Sequence, residues 1–289
     1  MPKSQEDFNL HPVWSAIIEV YKVVSQICER NNLRYWAAFG TALGAVRHHG
    51  FIPWDDDLDL MMPREDYDRF MAIAEDQLPT YMKTVSIYNT REYHWGFGKV
   101  QDCREDVLKR VQTESGCRLP DGIYVDIFPL DGCLSSLPAR LGRKVKSACV
   151  HLMMRRLLDK ECPLSLRVAG GVAGAFLPRL CEMRDFKLYD LQRLRRPMMD
   201  GAVRCGFLTD EISREFCHRP LRVDSFLQTE KVAFENVLIP IPMGIDEILR
   251  VWYGDYMKLP PVEKRRVPSH ANDPVVAWRF GPTGITDKN

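Results

Sequence analysis

No stretch of this 289-residue chain approaches the run of about 20 apolar residues that a membrane-spanning helix needs. The opening residues, Met1-Pro2-Lys3-Ser4-Gln5-Glu6-Asp7, are polar and acidic and lack the basic start and apolar core of a secretory signal. CxxC pairs are absent. The nine cysteines (Cys28, Cys103, Cys117, Cys133, Cys149, Cys162, Cys181, Cys205 and Cys217) are odd in number and scattered, which fits reduced thiols and excludes a disulfide framework or zinc site. Charge of one sign is also missing: 40 Lys and Arg against 39 Asp and Glu give a net charge of +1, so no broad nucleic-acid footprint is expected. Internal repeats and low-complexity linkers are missing too. These absences point to the cytoplasm, with peripheral contact at the inner face of the membrane left open. What remains, 45% hydrophobic and 27% charged residues, is ordinary globular composition in a chain long enough to bury a substantial core.

The densest chemistry lies between Tyr35 and Phe70. Within Trp54-Asp55-Asp56-Asp57-Leu58-Asp59-Leu60 an extended backbone alternates faces, so Asp55, Asp57 and Asp59 share one side and Leu58 and Leu60 point to a core. Three like charges at that spacing repel unless a cation joins them, and clustered oxygens suit a hard ion such as Mg²⁺ or Mn²⁺. A solvated acidic turn is disfavoured by Trp54, Leu58 and Leu60. A calcium loop is excluded because its sixth position needs Gly and this chain has Leu60.

Around this stretch the periodicity predicts a helix over His11 to Arg30, a buried strand over Tyr35 to Phe39, and a short helix Ala42 to Arg47 opened by Gly40-Thr41. A glycine-initiated helix start is a ready site for a phosphate oxygen. Pro63 reads as the first turn of the next helix, with Arg64 placed to hold a ligand phosphate or to pair with Asp68. Val85–Tyr88, Gly96–Val100 and Val107–Val111 read as strands, and Lys99 either reaches a phosphate or sits at the surface. In Gly122–Asp131, Asp126 is alone in an apolar strand and costly to bury unless it meets a cation; Asp131, beside Gly132, reads as the start of a turn. Val232–Pro240 is a hairpin turning at Glu235-Asn236, and Asp246–Val251 is a short helix. Residues 134–206 are basic and helical around the small apolar run Val168–Leu177. Packing of that run on the core is the preferred reading, with an interfacial membrane element as the alternative.

Two stretches resemble one family in unusual wording: Gly40-Thr41-Ala42-Leu43-Gly44-Ala45-Val46-Arg47 and Ile52-Pro53-Trp54-Asp55-Asp56-Asp57-Leu58-Asp59. Both are similar to the LicD family of phosphocholine transferases, to which fukutin-type proteins are related, and the Asp126 strand and Tyr253–Pro261 resemble it too. The resemblance implies an α+β, nucleotidyltransferase-like mixed sheet with flanking helices and a helical insertion. Its parts would be a catalytic core over 1–133, the basic insertion over 134–215 and a completing C-terminal part over 216–289. It implies Asp57, Asp59 and Asp126 as catalytic and metal-holding carboxylates, with Asp55 an extra ligand, around Mg²⁺ or Mn²⁺ as two ions. Gly40, Thr41, Arg47, Arg64, Lys99, Arg265 and His270 would bind the donor. The implied reaction moves a phosphoryl-linked group, phosphocholine first, from a CDP-activated donor (CDP-choline favoured) to a glycan or lipid-linked glycan hydroxyl. Phosphoethanolamine, ribitol phosphate, glycerol phosphate or a nucleoside monophosphate are alternative groups. A non-catalytic nucleotide- or glycan-binding domain is the remaining rival, and three mutually repelling carboxylates weigh against it. Trp36, Trp54, Tyr88, Tyr93 and Trp95 are the aromatics available to cage a quaternary ammonium.

Overall fold

The computed structural model describes residues 9–90, 93, 95–119, 121–132, 142, 145, 149, 152–153, 163–174, 202–205, 221–262 and 265. Helix α1 (His11–Arg30) forms where Val13, Ile17, Val20, Val24, Ile27 and Cys28 recur at helical spacing; all six are buried. Pro12 sits in its first turn, and Asn31-Asn32 ends it, Asn32 with φ +52°. Strand β1 (Trp36–Ala37) is shorter than the aromatic run suggested, because helix α2 (Phe39–Arg47) begins at Phe39. Next come β2 (Asp59–Pro63), α3 (Arg64–Ile73), β3 (Met82–Val85), β4 (Gly98–Asp102), α4 (Glu105–Ser115) and the ten-residue β5 (Ile123–Gly132). Helix α5 (Leu164–Gly174), β6 (Ala202–Cys205), β7 (Leu221–Arg222), β8 (Thr229–Phe234), β9 (Val237–Pro242) and α6 (Ile245–Tyr253) follow.

The sheet is mixed, in the order β1-β2-β5-β4-β3, with β6 pairing β5 and β7 pairing β6. The β2–β5 pair is parallel and the others are antiparallel. Helix α1 packs on β5, β4 and α4, while α3 packs on β2 and β5, so the central strand is covered by helices. The β8–β9 hairpin stands apart, turns at Glu235-Asn236 as read, and contacts β1 and α2. Among the described residues no helix is long and apolar enough to cross a membrane.

Four local readings need correction. Val107–Val111 is not a strand but the middle of α4: Val107 and Val111 are buried one turn apart, Glu105 and Asp106 suit the helix start, and Gly116 at φ +72° ends it. Pro63 closes β2 and is not inside α3. Val85 ends β3, and the next residues form a turn in which the Ser86 amide donates to Asn89 Oδ1 at 2.8 Å. Asp131 starts no turn; it lies inside β5 and is fully buried. In the basic segment, α5 buries Gly170 but leaves Leu164, Val168 and Val172 exposed, against the preferred packed reading.

Candidate active site

Three strands bring three charged side chains into one row. In the parallel β2–β5 register Asp59 lies opposite Asp126, and in the antiparallel β4–β5 register Asp126 lies opposite Lys99. Directly opposed residues share a face of the sheet, so the row reads Asp59, Asp126, Lys99. Lys99 Nζ is 3.2 Å from Asp126 Oδ1 and 3.5 Å from the centre of the Tyr124 ring. The start of β2 is held firmly: the Asp59 amide donates to Thr41 Oγ1 at 2.8 Å, the Ala38 amide to the Asp59 carbonyl at 2.9 Å, and the Asp126 amide to the Leu58 carbonyl at 3.0 Å.

The residues before Asp59 run as an irregular extended loop pinned from three sides. Trp14 Nε1 donates to the Asp55 carbonyl at 2.7 Å, the Asp55 amide to the Ile52 carbonyl at 2.8 Å, and the Phe51 amide to Glu235 Oε1 at 3.0 Å. Gly40 lies against this loop, and a Cβ there would displace the Asp55 carboxylate. Phe39, just before it, takes φ +40°, a left-handed conformation that its ring contacts with Phe128 and Trp252 stabilise. Burial, then repulsion from Asp57 and Asp56, pushes the Asp55 carboxyl well above the ordinary 3.8. Asp59 is pushed the same way by burial and then by Asp57, Asp126 and Asp55, with Lys99 opposing. Tyr253 feels the same negative charge: burial, then Asp55, Asp59 and Asp57 raise its phenol.

Asp55, Asp57 and Asp59 form one wall of a cleft of about 500 Å³, which is also lined by Gly40, Arg47, Trp54, Tyr253 and Lys258. Arg47 Nη1 donates to the Tyr256 carbonyl at 2.6 Å. Its guanidinium is made less basic by burial and by nearby Arg265, which lies 5.7 Å over the Trp54 ring and donates to the Pro260 carbonyl. The cleft therefore sets carboxylates against cations, with aromatic faces between them.

The candidate residues divide accordingly. Gly40, Arg47, Asp55, Asp57 and Asp59 line the cleft, Asp126 and Lys99 follow Asp59 in the row across the sheet, and Arg265 stands beside Trp54. Thr41 is buried inside α2 with its hydroxyl oxygen taken by Asp59, so it positions a carboxylate and does not face the cleft. Arg64 is also buried, but its partner is Asp131, gripped at 2.7 and 2.6 Å, with Asp68 only 3.5 Å away; that pair removes it from the phosphate-binding set. His270 lies outside the described residues. The five aromatics do not converge: Trp36 is buried against Phe226, Trp54 is in the cleft, Tyr88 is exposed, and Tyr93 and Trp95 pack on Phe97. Sequence reasoning gave no site role to Tyr253, Lys258 or Tyr124. The first two fall in the Tyr253–Pro261 wording that resembled the family, whereas nothing local marks Tyr124.

The donor set, several carboxylates with two of them driven toward proton uptake, has the oxygen chemistry of a hard divalent cation site. Among the described residues no three His, Cys, Asp or Glu side chains are already arranged as a metal-binding group. Asp55 hydrogen-bonds Asp57, and Asp126 meets the ammonium of Lys99.

Residues 32–132, which hold Asp55, Asp57, Asp59 and Asp126, match the family model described as LicD/FKTN/FKRP, nucleotidyltransferase domain. Over those residues the chain is similar to LicD-type domains. Over 261 residues, 86% of this chain and 90% of the relative, it is 25% identical to lipopolysaccharide cholinephosphotransferase LicD of Haemophilus influenzae. A 51-residue stretch, 18% of this chain but 10% of the relative, is 43% identical to human ribitol 5-phosphate transferase FKRP. An uncharacterised Rickettsia typhi protein is 43% identical over 75 residues, 25% of this chain and 24% of its own. The LicD and FKRP relatives are named as phosphotransferases, and the similarity supports an enzyme of that class.

Proposed function

We propose that the protein transfers a phosphoryl-linked group, phosphocholine first, from a CDP-activated donor to a hydroxyl of a glycan or lipid-linked glycan. The observation that carries this reading is the cleft in which Asp55, Asp57 and Asp59 face Arg47 and Lys258. A diphosphate donor needs its charge matched on both sides and its reacting phosphorus held in line with the acceptor. Mg²⁺ or Mn²⁺, as two ions held by Asp57 and Asp59 with Asp126 and Asp55, would supply charge neutralisation at the attacking and leaving oxygens. Arg47, Lys258 and Arg265 bind the nucleotide phosphates. The acceptor oxygen bonds to the donor phosphorus as the bond to the bridging oxygen breaks, and cytidine monophosphate leaves with that electron pair. The hydroxyl proton passes to a carboxylate of the row, Asp126 being the assigned base.

Two observations favour choline. A relative matched over 86% of this chain is named as a cholinephosphotransferase. Tyr93, Trp95, Phe97 and Phe128 also form an aromatic cluster on the Asp126–Lys99 side of the sheet, and aromatic faces attract a quaternary ammonium. The FKRP match favours a second reading, ribitol phosphate from CDP-ribitol on the same cleft. Mass spectrometry of products formed from CDP-choline, CDP-ethanolamine, CDP-ribitol and CDP-glycerol, offered with lipopolysaccharide-derived acceptors and Mg²⁺, tests both readings. A phosphocholine adduct absent with Asp57→Asn is the expected result. A folded protein that yields no adduct from any donor would refute the transferase reading.

A further inference from the structure

The chain is electrically neutral only on average. Residues 134–206 contain fifteen Lys and Arg against six Asp and Glu, a surplus of nine positive charges, so the rest of a chain of net charge +1 carries a surplus of eight negative ones. In the middle of that basic segment lies α5, Leu164–Gly174, whose eleven residues include one charged side chain, Arg167. Leu164, Val168 and Val172 recur every four residues and fall on one helical face. They are 77%, 60% and 62% exposed, while Gly170 is buried. A helix of this length spans about 16 Å, half the thickness of a bilayer core, so it can lie along a membrane but cannot cross it.

We propose that the Leu164–Val168–Val172 face of α5 docks on an anionic lipid surface. The charge decides the partner. A second copy would bring nine surplus positive charges against nine more, and a neutral apolar partner would leave them unused, whereas phosphate headgroups answer the charge and the acyl boundary takes up the leucine and valines. The arrangement gives two separable contributions: a long-range attraction that salt screens, and a short-range apolar insertion that it does not.

Full-length protein is sedimented with phosphatidylglycerol-containing vesicles and with phosphatidylcholine vesicles, at low and high salt, with no donor or acceptor present, so the outcome is independent of the transfer reaction. The expected result is binding to the anionic vesicles that weakens with salt. Val168→Asp combined with Val172→Asp should reduce that binding by about tenfold or more at unchanged melting temperature, since both side chains are already in water. Failure of the folded parent to sediment at low salt overturns the proposal. So does a double variant that binds as well as the parent, which would leave charge alone. Light scattering that finds a parental dimer and a monomeric double variant would assign the face to a second copy and equally overturn it.

Discussion

Lys99→Met removes one charge from the row while keeping most of the side-chain volume. The ammonium lies 3.2 Å from Asp126 Oδ1, and the two side chains are 15% and 10% exposed. At that distance and an effective dielectric of about 20, unit charges attract by about 5 kcal/mol, part of which offsets desolvation of the pair. Removing one partner of a fully buried pair costs about 3–5 kcal/mol, and the residual exposure of both side chains brings the loss here to about 2–3 kcal/mol. For a chain of this size the melting temperature falls by about 4–10 °C. The second half of the expectation concerns the ion. With Lys99 gone, Asp59 and Asp126 face each other across β2 and β5 with less compensation, so a divalent cation gains where the ammonium no longer competes. Added Mg²⁺ should therefore raise the melting temperature of Lys99→Met more than that of the parent. Scanning calorimetry of both proteins in EDTA and across a Mg²⁺ titration reads both effects. A variant as stable as the parent in EDTA, or one whose Mg²⁺ shift is smaller, refutes the reasoning.

Asp57→Asn keeps shape and hydrogen bonding but removes a charge from the cleft wall; transfer should fall by about a hundredfold or more while circular dichroism stays parental, and parental turnover would sink the catalytic assignment. Asp55 and Asp59 hold protons more tightly folded than unfolded, so their contribution to stability is complete below the ordinary carboxylate value of 3.8 and is lost as pH rises through their raised values. Urea midpoints in EDTA should thus fall less steeply with pH for Asp59→Asn than for the parent, and parallel curves contradict the assignment. Asp131→Ala strands Arg64 in the core and should destabilise by about 3–5 kcal/mol, measured by urea unfolding, whereas loss of the exposed Arg222–Asp224 pair should leave the urea midpoint unchanged.

The parts of the fold legible in the sequence are those whose signal is local. Helix α1 announces itself by spacing, the β8–β9 hairpin by a two-residue turn between apolar runs, and β5 by the apolar run around Asp126. Asp59 and Asp126 were legible as partners because each sits in a strand that fixes its face. The misses are those where the deciding partner is distant or the local pattern fits two periods. Val107-Leu108-Lys109-Arg110-Val111 alternates loosely enough for a strand, yet its valines also sit one helical turn apart, and Gly116 tips the choice. Arg64 and Asp131 are 67 residues apart, so neither reveals the other; the arginine reads as a phosphate ligand and the aspartate as a turn. Trp36 reads as a cage wall because nothing nearby discloses that Phe226 and Thr229 bury it.

The Glu235 carboxylate that holds the Phe51 amide comes from 184 residues further along the chain. It is not alone: Trp36 donates to Thr229, Tyr21 to the Leu238 carbonyl and Arg47 to the Tyr256 carbonyl. A ribosome that has finished β5 has therefore made every aspartate of the row, and the Trp14 that holds the Asp55 carbonyl, but not the hairpin whose Glu235 holds the same loop at Phe51. At about 5–20 residues per second, the nascent chain waits several seconds for the hairpin, with its apolar core uncovered and its carboxylates unassembled. Residues 32–132, the span that matches the LicD/FKTN/FKRP family model, thus hold the aspartates but neither the Tyr253 and Lys258 side of the cleft nor the hairpin that holds the loop. A fragment cut to those limits would leave uncovered the faces of β1 and α2 on which the β8–β9 hairpin packs.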